Sequence, residues 1–161
     1  MKKYVSLLLS LIIMFSCCVF SVNAEEDIVV PELIDSSFVS PTVEVENSSD
    51  DSRATGLIHS YSLSLSKTGS ALNIYAKTYC NSEVVKCGFK NLVIERKKSS
   101  SSSWSEYYDY GDLYIDANTA AYSATIVVES GYQYRLSCKH YAKKSLLVTQ
   151  SISNTSNIVT V

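Results

Sequence analysis

From Gly56 onward the chain alternates apolar and polar residues with a period of two. Tyr61, Leu63 and Leu65 are interleaved with Ser60, Ser62, Ser64 and Ser66, the spacing that sends one set of side chains to a core and the other to water. Lys67-Thr68-Gly69-Ser70 reads as a turn. Beyond it Leu72, Ile74, Ala76, Thr78 and Cys80 share one face, and Asn73, Tyr75, Lys77 and Tyr79 the other. After a loop, Phe89 to Lys97 presents Leu92 and Ile94 on one side and Val93 and Glu95 on the opposite side. Lys97-Lys98 and the serine run Ser99 to Ser103 predict a polar hairpin connection. Trp104 to Tyr110 resumes as a strand, which Gly111-Asp112 is expected to break. Tyr122, Ala124, Ile126 and Val128 alternate through the β-branched run Ala121 to Glu129. Ser130-Gly131 turns the chain, and Tyr132, Tyr134, Leu136, Cys138 and His140 line one face of the next strand. Lys143-Lys144-Ser145 turns again, leaving Leu146 to Val161 for a last strand or pair of strands.

No segment carries helical periodicity. Short strands separated by turn signals predict an all-β fold, an antiparallel β-sandwich over residues 54–161. Each inward face would supply one layer of an apolar core. The preceding stretch, 25–53, holds both prolines, Pro31 and Pro41, and the polar run Asn47 to Ser52. It reads as an acidic disordered linker or propeptide, with Ile28 to Val30, Val43 and Val45 able to add a weak edge strand.

The first 24 residues follow another logic. Lys2 and Lys3 precede an apolar run from Val5 to Phe20, and Val22-Asn23-Ala24 offers slim residues at a cleavage position. The run is too short for a stable membrane anchor. Residues 1–24 are therefore expected to be a signal peptide cleaved after Ala24, and the protein to be secreted. Cys17 and Cys18 lie in this leader, but Met14-Phe15-Ser16 lacks the spacing of a lipidation signal. No sortase-type tail follows Val161, so release is expected rather than covalent wall attachment, with no transmembrane anchor after cleavage.

The formal charge of −2 conceals an asymmetry. Residues 25–53 carry nine acids against Arg53, whereas residues 54–161 carry 11 bases against seven acids. The acidic stretch is expected to be solvated and extended. The mildly basic body suits anionic polymers outside the cell. Scattered basic residues and export together argue against nucleic acid.

The strand Gly131-Tyr132-Gln133-Tyr134-Arg135-Leu136-Ser137-Cys138 resembles the Tyr-x-apolar-x-apolar F strand of fibronectin type III and immunoglobulin-like modules, and Asn157 to Val161 resembles their closing strand. Trp104 lies too late for a true immunoglobulin domain, which places a Trp soon after the first Cys. The Val-Ile-Glu-Arg-Lys run at 93–97, the serine-rich loop with Trp104, and His140-Tyr141-Ala142-Lys143-Lys144 also resemble a group of short secreted proteins of Gram-positive anaerobes. That likeness implies export and a small β domain, and brings no activity with it.

Three cysteines remain in the body: Cys80, Cys87 and Cys138. An oxidising exterior allows one bridge and one thiol. If Cys80 and Cys138 sit on the inward faces of the strands that the resemblance labels B and F, they are the first candidate disulfide, stabilising by about 4 kcal/mol through loop closure. Cys80 with Cys87 would staple a hairpin loop and gain less, and three reduced, buried thiols are the third possibility. His140 shares a face with Cys138, but Cys-x-His is not a zinc spacing. No metal or cofactor is expected. The two histidines, His59 and His140, sit beside no recognisable nucleophile. His140 is expected near a sandwich edge and His59 at a strand entry. Asp109, Asp112 and Asp116 lack the ligand rhythm of a calcium loop.

The most suggestive surface is aromatic. Trp104, Tyr107, Tyr108, Tyr110 and Tyr114 crowd together among Glu106, Asp109 and Asp112. Rings with neighbouring polar groups suit sugar stacking or a protein contact, so Trp104, Tyr107, Tyr108 and Tyr110 are the candidate ligand-binding residues. Ordinary cross-strand pairing accounts for the same rings. The sequence is thus read as a non-catalytic exported binding module for cell-wall glycan, wall polymer or another extracellular protein. The alternative is a self-associating structural domain with the terminal strand Ile158 to Val161 open to edge pairing. An enzyme without a recognised motif ranks last.

Overall fold

The computed structural model describes residues 31–39, 52–53 and 56–161. The leader 1–24, Cys17, Cys18 and the apolar stretches at 28–30, 43 and 45 lie outside them. The described chain forms ten strands: β1 (Glu32–Phe38), β2 (Ser52–Arg53), β3 (Ile58–Thr68), β4 (Ala71–Cys80), β5 (Lys86–Lys98), β6 (Ser105–Ile115), β7 (Thr119–Val127), β8 (Tyr132–Lys143), β9 (Thr149–Thr155) and β10 (Val159–Thr160). One sheet runs in the order β1-β7-β4-β3-β2. The other runs β6-β5-β8, with β9 and β10 both paired to β8. Every pairing is antiparallel. The described residues are all-β, in two antiparallel sheets that face each other as a sandwich.

The period-two pattern explains the layers. Leu63, Leu65, Leu72, Ile74, Ala76, Ala124 and Ile126 point inward from the first sheet. Phe89, Leu92, Ile94, Tyr134, Leu136 and Cys138 meet them from the second. Intervening serines, threonines and lysines face water. Gly69, with φ of +62°, lets β3 and β4 join through a tight turn.

Three elements differ from the sequence expectation. Part of the segment read as a linker is strand β1, which pairs with β7 from Glu32↔Val127 to Phe38↔Tyr122. It gains backbone hydrogen bonds while burying little, so no alternation marks it. Gly111 does not end β6: with φ of +72° it carries a bulge, and pairing continues to Cys87↔Ile115. Leu146, Leu147 and Val148 are loop, and β9 starts only at Thr149.

Side chains tie the last strands across the sandwich. Asn157 donates from Nδ2 to the Leu65 carbonyl (2.8 Å) and accepts the Leu65 amide at Oδ1 (3.1 Å), as a strand neighbour would. Gln150 Oε1 accepts the amides of Leu57 (2.6 Å) and Ile58 (3.0 Å).

Candidate functional site

Alternation also decides which residues of β5, β6 and β8 face outward. Across β5 and β8 the register sets Glu95 beside Arg135, Arg96 beside Tyr134, Lys97 beside Gln133 and Lys98 beside Tyr132. Arg135 donates two hydrogen bonds to the Glu95 carboxylate, from Nε (2.8 Å) and Nη2 (3.2 Å), the paired geometry that a guanidinium allows. Its Cζ then lies 4.4 Å from the Trp104 ring centre, and Lys97 Nζ lies 5.2 Å from the same ring. Arg96 sits between Tyr107 (4.6 Å) and Tyr132 (4.5 Å), with Nη1 3.0 Å from a Glu129 oxygen. Burial opposes the Arg96 charge, but Glu129 outweighs it and holds the guanidinium pKa above its ordinary value. Each cation–π contact is worth about 0.5–1 kcal/mol at an exposed site. Together they fix the directions of otherwise mobile side chains.

Beside this cluster the β5–β6 hairpin encloses a shallow, open depression of about 420 Å³, lined by Arg96, Lys97, Lys98, Ser100, Ser101, Ser103, Ser105 and Tyr132. Ser101 and Ser103 brace the hairpin through mutual hydrogen bonds. The lining therefore offers cationic nitrogens, hydroxyl donors and one ring.

The four residues singled out by sequence do not share a surface. Trp104 is half-exposed on the outer side, among Lys97 and Arg135. Tyr107, Tyr108 and Tyr110 pack against the core margin. Tyr108 meets Tyr110 edge-on at 4.7 Å, Tyr110 meets Tyr122 at 5.8 Å, and Tyr122 meets Phe38 of β1 at 5.7 Å. Burial raises the pKa of Tyr107 and Tyr110. These rings seal the side of the sandwich between β6 and β7. What sequence reasoning missed are the cations Arg96 and Arg135, whose register alone brings them onto the aromatic rings.

The remaining expectations also find places. Tyr114 leans on Tyr141 (5.2 Å), and its hydroxyl donates to Asp112 Oδ2 (2.7 Å). Asp109 Oδ1 accepts the Gly111 amide, Asp112 Oδ1 accepts the Asn91 amide, and Asp116 pairs with Lys86 at 3.1 Å. The first two of these carboxylates brace the bulge and its neighbouring turn. Cys80, Cys87 and Cys138 are free, buried thiols. Cys80 and Cys87 are interacting neighbours, because β4 and β5 bring their loop-proximal ends together. Cys138 instead faces His140, with Sγ 3.7 Å from Nε2, and burial pushes its thiol up to about 12.

His140 is not at an edge. It is fully buried, as is Thr78. Thr78 Oγ1 lies 3.2 Å from the Gly88 carbonyl and 2.8 Å from His140 Nδ1. A hydroxyl has one proton: if Thr78 donates to Gly88, it accepts from His140 Nδ1–H. Nε2 is then the unprotonated acceptor, facing Asn154 Nδ2 (3.4 Å) and the Cys138 thiol. A proton on Nε2 would set it donor against donor with Asn154 Nδ2. Burial lowers the imidazole pKa to about 4. His59 stands at the entry of β3, edge-on to Tyr79 at 5.6 Å.

The chain matches no family model, no curated protein and no solved structure.

Proposed function

We propose that the protein is an exported, non-catalytic binding module, a sandwich of the fibronectin type III/immunoglobulin-like kind, acting at or outside the cell surface on an anionic glycan or wall polymer. The observation that carries this reading is the depression whose lining combines Arg96, Lys97 and Lys98 with four serine hydroxyls and Tyr132. Phosphate or carboxylate groups repeated along a polysaccharide would find cations there, and sugar rings would find hydroxyls and the neighbouring Trp104. The Glu95–Arg135 and Glu129–Arg96 pairs leave Lys97 and Lys98 as the positive excess.

The module type rests on strand order and on one hydrogen bond. β3, β4 and β7 are consecutive neighbours in one sheet, where β2 and β1 flank them, and β6, β5, β8 and β9 in the other, where β10 also pairs with β8. Without the flanking strands this is the three facing four that such modules use. Tyr134, at the start of β8, donates its hydroxyl proton to the Glu129 carbonyl at 2.8 Å, as in the tyrosine corner of these sandwiches. Export rests on the leader sequence.

The test is titration with purified cell-wall polymers, phosphate- or carboxylate-bearing and neutral, followed by Trp104 fluorescence and calorimetry at two ionic strengths. Binding of the charged polymers that weakens with salt, and that falls about ten-fold or more in K97A/K98A, is the expected result. Silence toward every polymer, or binding indifferent to K97A/K98A, overturns the reading.

A further inference from the structure

At the end of the sheet opposite the cationic depression, the β8–β9 hairpin turns through Leu146, Leu147 and Val148. Turn tips ordinarily carry Gly, Asn, Asp or Ser, because such residues accept tight backbone geometry and stay solvated. Here Leu146 is 87% exposed, Leu147 96% and Val148 45%. The tip is nevertheless held, since the amides of Lys144 (2.9 Å) and Ser145 (3.4 Å) both donate to the Val148 carbonyl. The β4–β5 loop braces it from the side. The Val85 amide donates to the Lys143 carbonyl (2.9 Å), and Lys144 Nζ lies 2.7 Å from Glu83. That loop adds Val85, itself 57% exposed. A rigid apolar knob therefore projects from the body, with Lys86, Lys143 and Lys144 behind it against Glu83 and Asp116.

We propose that this tip is a membrane-docking element, which inserts Leu146 and Leu147 into the interfacial layer of an anionic phospholipid bilayer. Three observations point to lipid. The knob offers four exposed apolar side chains, Val85, Leu146, Leu147 and Val148, against about 20–30 residues a side in a stable protein complex. A bilayer accepts such a knob without a matching pocket. Behind the apolar apex stand three lysines against two acids, Lys86 paired with Asp116 and Lys144 with Glu83, so the local excess is positive. Apex then charge is the order in which acyl chains and anionic headgroups are met on entering a leaflet. The two braced loops keep the apex ordered, so little conformational freedom is lost on docking. This inference does not depend on the polymer reading, whose residues lie at the other end of β5 and β8.

The decisive measurement places the reporter in the tip. Full-length L147W is mixed with vesicles of phosphatidylglycerol and phosphatidylcholine, and separately with vesicles of phosphatidylcholine alone. The wild-type spectrum, which reports the single Trp104, is subtracted. The L147W indole is expected to shift to the blue and to escape acrylamide quenching on anionic vesicles, with a weaker response on neutral ones. In a second measurement L146S/L147S, whose changes lie at exposed positions, weakens vesicle co-sedimentation about ten-fold or more. Because the indole reads its own surroundings, attachment through the leader does not imitate the result. An L147W spectrum unchanged by anionic vesicles overturns the proposal. So does a blue shift that develops with protein concentration in the absence of lipid, which would make the tip a contact between copies. An equal response on neutral vesicles removes the anionic-lipid assignment.

Discussion

Lowering the pH from 7 to 5 should destabilise this protein through one side chain. His140 holds its proton at about pH 4 in the fold, against an ordinary 6.5, because it is buried. Between those values the unfolded chain binds a proton that the folded chain refuses, so stability is intact above pH 6.5 and falls as the pH falls. Linkage gives a loss of about 2 kcal/mol between pH 7 and pH 5, approaching about 3 kcal/mol near pH 4. With a urea slope of about 2 kcal/mol per molar, the midpoint should drop by roughly 1 M between pH 7 and pH 5. The window stops at pH 5 because most carboxylates titrate below it. Urea denaturation of wild type and H140Q at both pH values isolates the effect: the variant has no imidazole at 140, and His59 is common to both proteins. H140Q should start lower, having lost the contacts to Thr78 and Cys138, but its pH dependence should flatten. An NMR titration of the native imidazoles provides a check that needs no variant. A His140 midpoint near 6.5, or an H140Q protein that loses as much stability as wild type, would refute the reasoning.

Other residues make further claims. A Cβ at Gly88 would sit 2.0 Å from the Leu113 carbonyl oxygen at a φ of +154°, whereas one at Gly111 meets open space at +72°. Denaturation should therefore show G88A losing roughly 3 kcal/mol or more and G111A about 1 kcal/mol; equal losses would contradict the packing of β5 against β6. Y134F removes the hydroxyl that donates to the Glu129 carbonyl and should cost about 1 kcal/mol in the same assay, with the fold unchanged by circular dichroism. A mild thiol oxidant should join Cys80 to Cys87, the neighbouring pair, and leave Cys138 unmodified. Peptide mapping that found Cys138 in a bridge would show the thiols to be placed otherwise.

The layers of the sandwich were legible because alternation is a local signal. Leu72, Ile74 and Ala76, and across from them Tyr134, Leu136 and Cys138, are assigned to the core by spacing alone, and all are buried. What escaped depends on register. In β6, irregular pairing between Ile94 and Glu95 and again at Leu92 shifts the phase. Tyr107 and Tyr108, which strict alternation sends opposite ways, both pack against the core margin. The same register sets Arg135 over Trp104 and Arg96 between two tyrosines, contacts between strands that no local pattern announces. Strand β1 escaped for another reason. Its residues are nearly all exposed, and it is held by backbone pairing to β7. Leu146 to Val148 look like the start of a strand by composition, yet Lys144 and Ser145 fold back onto Val148 and leave them at a tip. Alternation sets His140 on the inward face with Leu136 and Cys138, but nothing local in the sequence marks its position as central rather than near an edge. Only the packing of Thr78, Asn154 and Cys138 around it supplies the partners that a buried imidazole requires.

The pairing of β1 with β7, and the grip of Gln150 on the amides at the entry of β3, each tie an early segment of the described chain to a late one. Neither early segment can find its partner until roughly ninety more residues are available, so the search is long-range and folding should be slow, on the millisecond-to-second scale of β-rich topologies. A chain that stays open for that long keeps its strand edges exposed to other chains, and a lost final strand would leave it ajar.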